Sequence, residues 1–350
     1  MGVSCDAGGG LVNKPEKGEL HKYKGGKGER AAMKQMVWMM ALVWAAGGWA
    51  WAQTTQFVEP QGDYEVTVQG LDPVVGRSTW EARMPSAVVT PFKSNNVISV
   101  FGFEPAHPSK AAAIVLPIAN GRNLMLEKAV ALYLANQGIL GVVMPMPYQF
   151  ERGKDAKAAN ALQMADAKTG LKLFFQGTEQ AVSDVRRVRQ WLVSQRGIDP
   201  DKVGLVGISL GSIIASVTYS IDTRFSAAVL VLCGGDLPDV IWHGSKETRG
   251  LKKAIIGMGH DLEWTREMLR PVDPLTYATP QRGKGVLMVN AKDDEVFPTD
   301  STMKLNHAYG DAQLLMLPGD HYSVAIFLPA VLARSAEFLR GHLLNEPAGK

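Results

Sequence analysis

The chain has 350 residues, 46% of them apolar, which is ample for the core of one large domain or two modest ones. Lys and Arg number 37 against 34 Asp and Glu; seven of the basic and four of the acidic residues precede Gln53, so the remainder is balanced at thirty of each. That balance excludes the clustered basic surface by which nucleic acid or an anionic membrane is bound, and two cysteines, Cys5 and Cys233, exclude a disulfide framework.

Residues 1–32 are rich in Gly and Lys without apolar periodicity, and read as a disordered leader or, preferably, as a start assigned upstream of the true one. The next stretch, "MKQMVWMMALVWAAGGWAWAQ", has a lysine, an apolar run and small residues at Ala50 and Ala52. This is the pattern of a secretory signal over Met33–Ala52, cleaved after Ala52 so that the mature chain begins at Gln53. The apolar run from Met36 to Trp51 falls short of the roughly 20 residues a spanning helix needs, so no stable membrane anchor is expected after cleavage. The expected site of action is periplasmic or secreted.

From Tyr64 to Phe103 the segments "YEVTVQG", "STWEARM" and "VISVFGF", separated by Gly, Pro and Asn, predict an antiparallel opening. Beyond them, "AAAIVLPI", "ILGVVMPMP", "KVGLVGIS", "AAVLVLCGG", "GVLMVNA" and "AQLLMLPG" are too continuously apolar for one-sided strands and predict buried parallel ones. Periodic stretches at 124–137, 178–196, 210–220 and 299–309 supply the crossover helices. Residues 53–350 therefore form a single α/β domain with insertions at about 148–177 and 236–284, long enough to act as lids or pocket walls. Cys233 falls at the end of a central strand, with no basic neighbour, and is expected to be buried and inert.

In "GLVGISLGS" a serine stands between glycines after a strand and before a helix. A tight turn there exposes the Ser209 hydroxyl and aims the backbone N–H of Leu210 at a developing oxyanion. A serine hydroxyl needs a histidine to take its proton and a carboxylate to orient that histidine. Of seven histidines, His321 in "LLMLPGDHYSVAIF" alone follows a predicted sheet strand and opens a helix. The carboxylate falls in "GVLMVNAKDDEVFPTD", after a strand and between the serine and the histidine in chain order. Asp294 is preferred, with Asp293 and Asp236 as alternatives.

With these pieces in place, the chain resembles an α/β-hydrolase, and more narrowly the dienelactone-hydrolase and acetyl-xylan-esterase-like branch, over about 97–344. "DVRRVRQWLVSQRGIDPDKVGLVGISLGS", "DTRFSAAVLVLCGG", "VDPLTYA", "NAKDDEVFP" and "LPGDHYS" carry the resemblance. It implies an α/β-hydrolase fold: a mostly parallel central sheet with an antiparallel N-terminal part, helices on both faces and helical lid insertions. It also implies Ser209 as nucleophile, Asp294 as acid and His321 as base. The family commonly has His-Gly where this chain has "VLPIANGRN", which leaves the second oxyanion donor open among Ile118, Ala119 and Asn120. Ala291 and Ser212 stand where the family often has glycine, and neither change removes a catalytic group. "PMPYQFERG" resembles a segment beside the acyl site, with a structural role expected for Tyr148 and Arg152.

No dinucleotide or phosphate-loop glycine pattern, H-E-x-x-H, or close Cys and His cluster occurs, so no cofactor and no metal are expected. The leading expectation is an exported serine hydrolase acting on a small-molecule or carbohydrate ester, with no nucleic-acid partner. A peptidase of the prolyl-oligopeptidase kind shares the catalytic domain but normally adds a propeller, and only about forty-five residues precede the sheet here. A hydrolase-fold binding protein without activity is the remaining alternative.

Overall fold

A computed structural model of the protein describes residues 57–60, 62–119, 121, 123–155, 167–245 and 247–345. The leader, the signal segment and Asn120 of the oxyanion alternatives lie outside the described residues. Among the described residues no helix is long and apolar enough to cross a membrane.

Among the described residues nine strands make one sheet in the order β1-β2-β3-β5-β4-β6-β7-β8-β9. β1 (Thr67–Val74), β2 (Arg77–Pro85) and β3 (Val97–Phe103) are antiparallel, and β3 meets β5 antiparallel. From there the sheet is parallel: β4 (Ala112–Leu116), β5 (Leu140–Val143), β6 (Val203–Ile208), β7 (Ala227–Val231), β8 (Val286–Ala291) and β9 (Gln313–Leu317). Every residue of β4 through β8 is buried, because helices cover both faces and neither face can be polar. β9 closes the edge and is half exposed.

The two faces separate by residue parity. Ile114, Leu116, Leu205, Leu230 and Met288 join the core beneath α2 (Ala167–Gln195), α3 (Leu210–Ile221) and α7 (Thr299–Ala308). Val115, Val206, Val229 and Val289 join the opposite core beneath α1 (Met125–Asn136) and α8 (Leu328–Leu343). A period of two sends alternate side chains to opposite faces, and each fully buried Val, Leu or Ile contributes ~1.5–3 kcal/mol.

The 236–284 insertion forms α4 (Leu237–His243), α5 (Glu247–Gly257) and α6 (Leu262–Leu269), followed by three short 3-10 turns. These helices share an apolar cluster with Ile213 and Leu210 of α3 and with Val296 and Phe297 after β8, which seats the insertion beside the carboxyl ends of the strands. The sequence predicts the helix before β6 from near Thr178, and the structure already describes α2 from Ala167. Gly170 and Gly177 weaken the helical signal of that stretch by about 1 kcal/mol each, and the long helix absorbs them. β1 also runs three residues later than "YEVTVQG".

Candidate active site

The carboxyl ends of β6, β8 and β9 supply the members of one hydrogen-bonded chain. Ser209 follows β6, with φ 52° and ψ −114°. A non-glycine residue there costs ~1–3 kcal/mol and persists only where its surroundings enforce it. Its N–H donates to the Val231 carbonyl at 2.9 Å, and its carbonyl accepts the Ser212 hydroxyl at 2.5 Å. The Ser212 hydroxyl also reaches the Leu232 carbonyl at 3.2 Å, so the serine that stands in place of glycine ties the turn to the next strand. The glycines are required by space: a Cβ on Gly207 would lie 2.3 Å from the Gly211 carbonyl oxygen, and one on Gly211 the same distance from that of Leu116.

His321 follows β9 and Asp294 follows β8. Ladder pairing of Ala291 with Leu317 continues into the loops, where Lys292 N–H donates to Leu317 O at 2.9 Å and Asp293 N–H to Gly319 O at 3.0 Å. The next residue, Asp294, therefore meets the residues following Gly319. His321 itself is fixed by a reciprocal turn: Ser323 N–H donates to Asp320 Oδ1 at 2.8 Å, and Asp320 N–H to Ser323 Oγ at 2.7 Å. A 3-10 turn, Ser323–Phe327, separates His321 from α8, so the histidine sits in a loop rather than at the mouth of the α-helix.

The structure brings Ser209, His321 and Asp294 together. Ser209 Oγ lies 3.2 Å from His321 Nε2, and His321 Nδ1 lies 2.8 Å from Asp294 Oδ2. Asp294 Oδ1 accepts the amides of Val296 and Phe297, both at 2.8 Å, so each carboxylate oxygen has an assigned partner. Asp294 is 5% exposed and His321 9%, which strengthens electrostatic coupling between them. Phe297 packs on the imidazole with centroids 5.9 Å apart. A second carboxylate, Glu295, accepts the His321 N–H at 3.2 Å.

The alternatives lie elsewhere. Asp293 is exposed. Asp236 stands just before α4 in a left-handed conformation, φ 57°, and its side chain pairs with Lys304 at 2.5 Å. His243 pairs with Asp239, His307 with Asp311, and His260 stacks on Trp264. Cys233 is fully buried, which pushes its thiol up to about 12, as an inert core cysteine requires. Arg152 is 1% exposed and bonds Asp184 at 2.6 Å, a structural position rather than a pocket wall.

Among the oxyanion candidates, Leu210 opens α3 directly after the serine. Ile118 is already committed: its N–H donates to Glu127 Oε1 at 3.2 Å. Ala119 follows it in the loop after β4. Ladder pairing of Leu116 with Gly207 brings that loop abreast of the Ser209 turn.

No protein-family model matches the chain. It is 27% identical over 184 residues to an uncharacterized protein of Mycobacterium tuberculosis, found in two strains. That match takes in 52% of this chain and 42% of the relative, so the chain accounts for less than half the relative's length. Among solved structures, an acetyl xylan esterase from Paenibacillus sp. R4 superposes with a TM-score of 0.60 at 15% identity, covering 85% of this chain and 98% of that one. A cold-adapted esterase from an Arctic intertidal metagenomic library gives 0.53 at 18% identity, over 82% of this chain and 100% of that one. A puromycin-hydrolyzing peptidase of Mycobacterium tuberculosis gives 0.52 at 16% identity, over 82% of this chain but only 40% of its own length.

Proposed function

With the α/β-hydrolase fold as premise, we propose that the protein is an exported serine hydrolase that cleaves carboxylic esters through an acyl-enzyme. The observation that carries this reading is the continuous contact from Ser209 Oγ to His321 to Asp294, at 3.2 and 2.8 Å. His321 Nε2 takes the hydroxyl proton as Ser209 Oγ attacks the ester carbonyl carbon. The amides of Leu210 and Ala119 receive the oxyanion. Collapse expels the alcohol, which leaves with the proton held on His321. Water then loses a proton to His321, attacks the acyl-Ser209 carbonyl and releases the acid, restoring the hydroxyl. Asp294 holds the imidazole with Nδ1 protonated and stabilises the imidazolium formed in each half.

A fluorophosphonate probe tests the reaction class, because a binding protein without an activated serine does not label. A panel of p-nitrophenyl esters of rising chain length, acetylated sugars and aminoacyl anilides tests the substrate. Turnover of the anilides in preference to every ester would replace the esterase reading by the peptidase one, which the likeness to the puromycin-hydrolyzing peptidase supports as the second reading.

A further inference from the structure

Two side chains outside the Ser209–His321–Asp294 chain grip the loop that faces the serine. Glu127, in the first turn of α1, is 1% exposed, and burial raises its carboxyl above the ordinary range. Its Oε1 accepts the Ile118 N–H at 3.2 Å. From the other side, Gln149 Nε2 donates to the Ile118 carbonyl at 3.0 Å, while Gln149 Oε1 accepts the Met146 N–H at 3.2 Å. Both backbone polar groups of Ile118 are therefore held by side chains from different elements.

Gln149 is delivered by an unfavourable backbone. Its neighbours Tyr148 and Phe150 both have positive φ, 63° and 48°, at ~1–3 kcal/mol each. A buried polar network offsets that strain. Asn95 Oδ1 accepts the Tyr148 N–H at 2.9 Å, and Arg152 donates to the Asn95 carbonyl at 2.9 Å and to Asp184 at 2.6 Å. Gly153 completes the turn, where a Cβ would stand 2.4 Å from the Tyr148 carbonyl oxygen. Strain maintained so firmly beside an active site points to a geometric requirement there.

We infer that Glu127 and Gln149 are positioning residues: by fixing Ile118 at its N–H and its carbonyl, they turn the following amide, that of Ala119, toward Ser209 as the second oxyanion donor. The inference rests on the serine-hydrolase reading. It accounts for an oxyanion loop without the His-Gly pair, since side chains from α1 and from the turn after β5 hold "PIA" in place. Acceptor character at position 127, not charge, is what the Ile118 amide needs, so glutamine serves there and leucine does not.

The test compares Glu127→Leu, Glu127→Gln and Gln149→Met with the wild type on p-nitrophenyl acetate, with thermal midpoints measured in parallel. Removing an oxyanion donor outright costs ~10²–10³ in kcat, so displacing one through its support is expected to cost ~10–100-fold in the Leu and Met variants, with KM within about threefold. Glu127→Gln is expected to return kcat to within about threefold of wild type. A folded Glu127→Leu and Gln149→Met pair with wild-type kcat overturns the inference, as does a loss at position 127 that glutamine fails to recover. If Glu127→Leu does not fold, Gln149→Met, which frees the carbonyl of the Ile118–Ala119 peptide itself, decides alone. A wild type that neither labels with fluorophosphonate nor turns over any ester overturns the serine-hydrolase reading itself. Labelling of the wild type with undiminished kcat in Gln149→Met overturns only the positioning role.

Discussion

Ser209, His321 and Asp294 act as one proton-transfer unit in the proposed reaction, so their removal is expected to be strongly non-additive. Ser209→Ala and His321→Ala should each lower ester turnover at least ~10³-fold, and the double variant little further. Circular dichroism checks that the fold survives; a folded Ser209→Ala protein with retained turnover would sink the mechanism. The carboxylates separate more sharply. Asp294→Asn leaves the imidazole in a poorer tautomer and unsupported when charged, at up to ~10⁴-fold in kcat. Asp293→Asn and Asp236→Asn should stay close to wild type, because one side chain is exposed and the other is tied to Lys304. That Ser209 and His321 would meet was legible because strand, turn and residue type coincide within a few positions. Glu127 and Gln149 were not: they meet at Ile118 from opposite sides, and no local pattern in "LMLEKAV" or "MPYQFER" signals a partner nine or thirty-one residues away.

Among the elements, the buried parallel strands were readable because burial on both faces leaves an apolar run that few other structures produce. The amphipathic helices after them followed from their period. The helical stretch of α2 before Thr178 was not readable, since Gly170 and Gly177 mimic a loop, and neither was the way α4 is anchored. Asp273, between the 3-10 turns that follow α6, accepts the amides of Asp236, Leu237 and Leu275 at 3.1, 2.7 and 2.9 Å, closing the N-terminus of α4 from outside. Burial outweighs those donors and raises its carboxyl from the ordinary 3.8 to about 6. The folded protein thus holds this proton more tightly than the unfolded chain. The proton-linked stabilisation is fully present below 3.8 and is lost as pH rises through about 6. Against an Asp273→Asn variant, which cannot titrate, the wild type should gain on the order of 2 kcal/mol in urea unfolding between pH 7 and about pH 4.5. Parallel stability curves for the two proteins would show that Asp273 is ionised throughout that range in the fold. A buried ion pair secures the segment after β5: Arg152→Met, which leaves the Asp184 carboxylate without its cation, should cost ~3–5 kcal/mol.

At the scale of the whole molecule, the domain is tied down close behind the proposed cleavage point. Phe57 packs edge-on against Tyr277 with centroids 5.8 Å apart, and Arg186 donates to the carbonyls of Phe57 and Val58 at 3.4 and 3.3 Å. Glu59 pairs with Arg186 and, at 2.8 Å, with Arg224, both of which also bind Asp222. The described anchoring contacts reach back to Phe57, four residues beyond the proposed new N-terminus at Gln53. We propose cleavage after Ala52 because the apolar run Met36–Trp51 falls short of the roughly 20 residues of a span and Ala50 and Ala52 have the small side chains of a signal-peptidase site. Expression with the full leader should yield an exported protein whose intact mass begins at Gln53. A chain produced from Gln53 onward should match it in thermal midpoint and ester turnover. Ala52→Arg, which places a large charged side chain next to the scissile bond, should leave the precursor unprocessed while the domain still folds. Recovery of the exported protein with Met1 in place, or processing of Ala52→Arg at the same bond, would refute this account of the first fifty-two residues and leave the assignment of Ser209 and His321 untouched.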